Sequence, residues 1–147
     1  MRYVTVKAQS HKLKFFGICE TITQVWSSQM MDAKRVLIVD DDKSILRFFT
    51  LILQRKGYST DTAETGKEAL EKISHQSYDV ALIDVVLPDM NGLDLLKRFP
   101  PNTKKIVMTG AVSDDNQKRA QTEGADAYLL KPVKHEKLLQ TVANKLN

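Results

Sequence analysis

Aspartates close two apolar runs in this chain. Asp40, Asp41 and Asp42 follow Val36-Leu37-Ile38-Val39, and Asp84 follows Val80-Ala81-Leu82-Ile83. A β-type apolar run without polar alternation reads as a strand of a parallel sheet covered on both faces. Parallel strands bring their C-terminal ends to one edge, where open α/β sheets bind ligands. Asp40, Asp41 and Asp84 are therefore expected to share one pocket. Two carboxylates 4 to 5 Å apart repel by roughly 3 to 4 kcal/mol at an effective dielectric near 20. A hard divalent cation held by oxygen ligands offsets that repulsion, and an all-oxygen set favours Mg2+ over zinc. A strand-to-helix turn with a helix cap would explain one of the three adjacent acids at most.

The elements that must position these acids begin at Arg35. Strand one is Arg35 to Val39, and a helix over Lys43 to Lys56 is closed by Gly57. Tyr58 to Thr62 is a weak second strand, and Thr65-Gly66-Lys67-Glu68 reads as a capping box opening a helix to about His75. Strand three covers Val80 to Ile83. Pro88 and Gly92 mark the loop into a helix over Leu93 to Phe99, stopped by Pro100-Pro101. Lys105 to Thr109 is strand four, and Ser113 with Asp114 and Asp115 caps a polar helix reaching Thr122. Gly124 ends that helix, Ala127 to Leu130 is strand five, and Lys134 to Leu146 is the last helix. Five strands alternating with five helices give an α/β, three-layer, doubly wound sheet.

That topology carries Thr109 and Lys131 to the same edge as the acids, with Tyr128 inside strand five. A threonine hydroxyl can donate to an anionic oxygen, and a lysine supplies a point charge suited to phosphate. Each alone has a plainer role: Thr109 as a turn cap, Lys131 in solvent, Tyr128 as a half-buried core aromatic. Acids, a hydroxyl and a lysine converging on one edge are specific together. Lys131-Pro132, at a strand exit, is a candidate cis bond.

The pattern resembles the response-regulator receiver domain of two-component signalling over about Lys34 to Asn147. Four stretches carry the likeness: Ile38-Val39-Asp40-Asp41-Asp42, Asp84-Val85-Val86-Leu87-Pro88-Asp89-Met90-Asn91-Gly92, Val107-Met108-Thr109-Gly110-Ala111, and Gly124 through Pro132. The resemblance implies a flavodoxin-like, five-stranded parallel sheet of order 2-1-3-4-5 with helices on both faces. It implies that Asp84 accepts a phosphoryl group from a phosphohistidine, with Thr109 and Lys131 assisting. Mg2+ would be held by Asp40, Asp41, Asp84 and the main-chain carbonyl of Val86. Thr109 and Tyr128 would form the switch that alters partner binding. Val86 and Ala111 beside the acceptor cannot hydrogen-bond an attacking water, so self-dephosphorylation is expected to be unassisted.

The implied partners are a sensor histidine kinase or histidine phosphotransfer protein, and a downstream target at the face of the fourth helix, fifth strand and last helix. Lys118, Arg119, His135 and Lys137 would belong to that face, and a phosphorylation-linked dimer is compatible with it. The first helix is the expected kinase-docking element; its apolar arc of Ile45, Leu46, Phe48, Phe49, Ile52 and Leu53 makes Leu46 and Leu53, at the arc's edge, the docking candidates. Such a module is a signalling switch and not an enzyme, beyond catalysing its own phosphorylation and slow dephosphorylation. Two other readings stand beside it. A constitutive interaction module would need no phosphoryl transfer. An aspartate-nucleophile phosphatase of the haloacid-dehalogenase type would want a second acid where Val86 stands.

Composition is compatible with one domain: 147 residues, 42% hydrophobic and 27% charged, leave no room for a second full one. Of the basic residues, Arg2, Lys7, Lys12 and Lys14 face the single acid Glu20 in the first thirty, while from Asp32 onward 18 basic residues face 17 acidic. The folded part therefore offers no footprint for direct nucleic-acid binding. The lone Cys19 permits no internal disulfide and fits a cytoplasmic location, and no apolar stretch reaches the roughly 20 residues a membrane-spanning helix needs. Residues 1–31 are expected to be a leader, disordered or outside the native start, since Met30-Met31 directly precede the ordered pattern; a basic docking arm is the sharper alternative. Residues 32–147 are expected to form the receiver domain, with no output domain after them.

Overall fold

The two apolar runs lie side by side at the centre of a five-stranded parallel sheet of order β2-β1-β3-β4-β5, the expected topology. The strands are β1 (Arg35–Val39), β2 (Ser59–Ala63), β3 (Val80–Asp84), β4 (Lys104–Thr109) and β5 (Ala127–Leu130). The computed structural model describes residues 33–111 and 113–147. The expectations for residues 1–31 and for Cys19 lie outside the described residues. The helices are α1 (Lys43–Gln54), α2 (Gly66–His75), α3 (Gly92–Arg98), α4 (Asp114–Thr122) and α5 (His135–Leu146), and none is long and apolar enough to cross a membrane.

Period-two alternation explains why β1 and β3 are apolar throughout. Val36, Ile38, Val80, Leu82, Ile106 and Met108 face one side, where Leu46, Phe49 and Leu53 of α1 and Leu138 and Val142 of α5 cover them. Leu37, Val39, Ala81, Ile83 and Val107 face the other, against Ala69 of α2, Leu93, Leu95 and Leu96 of α3, and Ala120 of α4. Each fully buried Leu or Ile contributes about 1.5 to 3 kcal/mol.

Local chemistry sets the boundaries. Asp42 caps α1 by accepting from the Ser44 and Ile45 amides at 2.8 and 3.4 Å, and Gly57 at φ +87° lets the chain leave α1 in a left-handed turn. Thr65 caps α2 through the Glu68 amide at 3.1 Å. Glu68 reaches back to the Glu64 amide at 2.8 Å, one residue upstream of where a standard capping box closes. The helix expected over Leu93 to Phe99 is instead a 3-10 helix. Leu93, Leu96 and Phe99 are all buried and spaced by three, and a three-residue turn stacks them in one line toward the sheet.

The apolar arc of α1 divides differently from expectation. Leu46 and Leu53, the candidate docking residues, are 5% and 0% exposed and belong to the core, because with Phe49 they follow the 3-4 spacing that faces the sheet. Phe48 and Leu51 carry the exposed surface instead, at 46% and 49%. Arg119 is likewise committed elsewhere: its guanidinium pairs with Asp94 of α3 and, at 3.9 Å, with Glu123, while Lys97 of α3 reaches Glu123 at 2.7 Å. These pairs tie α4, whose one buried residue is Ala120, to α3.

At the N-terminal side of the sheet the Tyr78 hydroxyl donates to Asp61 Oδ2 at 2.9 Å, with Arg35 3.4 Å from the same oxygen. Burial, reinforced by the carboxylate, pushes the phenol up to about 12 from an ordinary 10.0. Above pH 10 the unfolded chain releases this proton while the folded one keeps it, so stability falls as pH rises from about 10 to about 12. Tyr78→Phe is expected to flatten that decline by on the order of 2 kcal/mol in denaturant titrations across this range. An unchanged alkaline slope would place the sensitivity on another group.

Candidate functional site

Asp40 and Asp84 occupy neighbouring strand ends, since Val39 and Ile83 are partners in the β1–β3 register. Asp40 is fully buried and Asp84 nearly so. Their backbones are fixed by the sheet: the Asp40 amide donates to the Ala63 carbonyl at 3.0 Å, and the Val85 amide to the Met108 carbonyl at 3.0 Å. The Lys131 amide donates to the Thr109 carbonyl at 2.7 Å, which anchors the end of β5 beside β4. From there the Lys131 ammonium lies 2.6 Å from Asp40 Oδ2 and 2.6 Å from Asp84 Oδ2. The Lys131-Pro132 bond is cis.

The remaining oxygens are partly engaged. Asp40 Oδ1 accepts from the Asp42 amide at 2.9 Å, and Asp84 Oδ1 from the Val86 amide at 3.2 Å. Asp41 is exposed, and carboxylate oxygens of Asp40, Asp41 and Asp84 lie within 4.8 Å of one another. Asp42 stays outside this cluster as the α1 cap. Burial pushes the Asp40 carboxyl up, against the pull of Lys131 and of the Asp42 amide. Burial pulls Lys131 down, but its bonds to both carboxylates outweigh it and hold the ammonium above the ordinary lysine value. One positive charge thus faces three carboxylates. An all-oxygen donor set with excess negative charge fits a hard divalent cation such as Mg2+.

Thr109 reaches the same edge and is 2% exposed, but its hydroxyl bonds locally, donating to the Ala111 carbonyl at 3.2 Å and accepting from the Ala111 amide at 3.3 Å. Among the described residues it makes no hydrogen bond to the acids. Tyr128 packs on the core layer of α2 to α4, and its buried hydroxyl has no partner among the described residues. Val86, two residues after Asp84, is 71% exposed, and Ala111, two residues after the end of β4, is also exposed.

Two contributors escaped the sequence. Asp89, in the loop after β3, accepts from the Gly66 and Lys67 amides at 2.8 Å each. Gly92 abuts the Asp84 carbonyl so closely that a Cβ there would overlap it. The only signal was a turn-rich run, Pro88 to Gly92, whose partners lie at other sequence positions.

A family model described as the response regulator receiver domain matches residues 36–143. The chain is 37% identical to Response regulator ArlR of Staphylococcus saprophyticus over 110 residues, 74% of this chain and 50% of that relative. ArlR of Staphylococcus aureus is 34% identical over the same length. The chain therefore spans about half the length of the curated relatives it matches. Among solved structures, a CheY-like receiver domain protein from Methanospirillum hungatei superposes with a TM-score of 0.76 at 42% identity, covering 78% of this chain and 94% of that one. A Burkholderia pseudomallei response regulator, solved with a phosphorylated aspartic acid, a calcium ion and citrate, gives 0.68 at 27% identity, covering 76% and 72%.

Proposed function

The chain belongs to the response regulator receiver domain family, and from that premise we propose that it is a phosphorylation switch whose acceptor is Asp84. The observation that supports this most strongly is the Lys131 ammonium held 2.6 Å from both Asp40 and Asp84, at the C-terminal edge of the sheet. In the proposed reaction an Asp84 carboxylate oxygen forms a bond to phosphorus as the phosphorus–nitrogen bond of a donor phosphohistidine breaks, and that electron pair leaves with the imidazole. The transition state is loose, so the protein's work is alignment and charge neutralisation. Lys131 holds Asp84 in place before transfer and supplies positive charge to the phosphoryl oxygens during it. Asp40, Asp41, Asp84 and the Val86 carbonyl would hold Mg2+, which when bound supplies further positive charge to those oxygens.

The aspartyl phosphate carries a charge of about −1.5 to −2, up to about one more negative charge than the carboxylate it replaces. That charge draws the Thr109 hydroxyl away from Ala111, and the Tyr128 hydroxyl, which has no partner among the described residues, is free to follow into the space released. The response is a shift between two packings of one loop and one ring. Neither Val86 nor Ala111 offers a group to orient an attacking water, which favours a persistent phosphoryl group. We assign kinase or phosphotransfer docking to the exposed Phe48 and Leu51 of α1, and target binding to the face of α4, β5 and α5, where Leu130 is 49% exposed.

Beryllofluoride with Mg2+, as a phosphoryl mimic, tests the reading. Backbone amide shifts are expected to spread from Asp84 through Thr109 and Tyr128 in the wild type and to be lost in Asp84→Asn. A wild-type spectrum that does not respond would reject the switch and leave a constitutive binding module.

A further inference from the structure

We propose that Asp89 is a positioning residue for the cation site: by gripping the N-terminus of α2 it fixes the loop that carries the Val86 carbonyl. The proposal rests on the reading of Asp84 and its neighbours as a phosphoryl-acceptor site. Both oxygens of the Asp89 carboxylate are used, Oδ1 on the Gly66 amide and Oδ2 on the Lys67 amide, each at 2.8 Å. Helix α2 already carries its own cap, with Thr65 accepting from the Glu68 amide. Asp89 takes the two first-turn amides that this local cap leaves open, so the carboxylate joins two segments more than twenty residues apart in sequence. Those two amides also hold the Asp89 carboxyl below the usual carboxylate range.

The loop has few other anchors at its tip. Its base is closed by the Gly92 amide on the Val85 carbonyl at 2.7 Å and by the pairing of Val86 with Asn91. The Val86 side chain is 71% exposed, so core packing holds its backbone only through its buried neighbours Val85 and Leu87. Beyond the base, the contacts to α2 include Asp89 and Met90, whose thioether fills the space a Cβ on Gly66 would need. The segment they grip also touches the other acid-bearing loop. Ala63 accepts from the Asp40 amide at 3.0 Å, and Glu64 pairs with Lys43, at the start of α1, at 3.5 Å. Ala63 and Glu64 thus touch the Asp40–Asp42 turn, while the Gly66 and Lys67 amides hold the Val86 loop. Losing the Asp89 grip releases one of two loops whose oxygens must converge on one ion.

Residues that orient metal ligands without touching the metal typically change affinity 10- to 100-fold when removed. Asp89→Ala is expected to weaken Mg2+ binding roughly tenfold in calorimetric titration, and to speed amide hydrogen exchange at Val86 and Gly92. Asp89→Asn, which keeps one acceptor oxygen, is expected to fall between. Thr65→Ala is the control: it removes the local cap of the same helix and is expected to lower the melting temperature with Mg2+ affinity unchanged. Asp89 variants that bind Mg2+ like the wild type would overturn the proposal, as would equal weakening by Thr65→Ala, which would reduce Asp89 to a helix-stabilising contact. Wild-type protein that binds no Mg2+ would instead reject the acceptor-site reading, and this proposal with it.

Discussion

Replacing Lys131 by methionine is expected to lower the stability of the Mg2+-free protein by about 3 to 5 kcal/mol, the cost of stranding buried charge. For a domain of this size that is a fall of roughly 10 to 20 °C in melting temperature. Lys131 is the shared partner of Asp40, which is fully buried, and of Asp84, whose side chain is 8% exposed. Methionine keeps the bulk and removes the charge, leaving Asp40, Asp41 and Asp84 with no cation among them. Two additions distinguish this account from simple loss of packing. Mg2+ is expected to recover most of the deficit, because it compensates the same carboxylates.

Lowering pH is expected to narrow the deficit as well. The folded Asp40 carboxyl already titrates above its ordinary 3.8, through burial. A carboxyl raised in the folded state costs stability above its folded pKa, and that cost disappears as pH falls through that value toward 3.8. Without Lys131 the folded value rises further, so the variant gains more than the wild type on acidification. Thermal melts in chelator and in Mg2+, at neutral and mildly acidic pH, measure both effects. A deficit of the same size under all four conditions would mean that packing, and not charge, sets the cost.

The acid cluster was legible in the sequence because it rests on strand ends, and strand ends announce themselves. Val36 to Val39 and Val80 to Ile83 are apolar on both faces since both faces are covered, and a run that stops at an aspartate fixes where that aspartate sits relative to the sheet. The cap at Ser113 and the left-handed turn at Gly57 were visible for the same reason: their partners lie within four residues. What the sequence hid depends on partners far along the chain or on small rotations. Leu46 and Phe48 differ by two residues in one apolar arc, and only the direction from which the sheet approaches decides that the first is core and the second exposed. Thr109 lies on the edge its strand assigns, but nothing in the sequence decides whether its hydroxyl turns to the acids or caps the next turn, and the Ala111 backbone offers it both a donor and an acceptor. The grip of Asp89 on Gly66 and Lys67 has no local signature at all, because nothing in Pro88-Asp89-Met90 specifies an amide pair upstream.

Gly92→Ala is the second large effect, and it separates two reasons for which a chain keeps glycine. A Cβ at Gly92 would overlap the carbonyl oxygen of Asp84 and lie 3.2 Å from Ile83 Cγ2, so the obstacle is backbone on one side and buried side chain on the other. Neither yields as a surface side chain would. Overpacking of this kind costs about 1 to 3 kcal/mol, and a clash against main chain belongs at the upper end. The relief available is a shift of the β3 terminus or of the loop, and both carry the acceptor: Asp84 ends β3, and the Gly92 amide closes the loop base on the Val85 carbonyl. Gly92→Ala is therefore expected to melt earlier by roughly 10 °C and to lose beryllofluoride binding at temperatures where it is still folded. Gly110→Ala is the matched comparison from the Thr109 loop. A Cβ at Gly110 meets nothing within 4 Å, so its melting and beryllofluoride binding are both expected to stay near wild type. A folded Gly92→Ala protein that binds beryllofluoride like the wild type would show that the loop absorbs the added methyl without moving Asp84, and would remove the close approach of Gly92 from the account of how the acceptor is held.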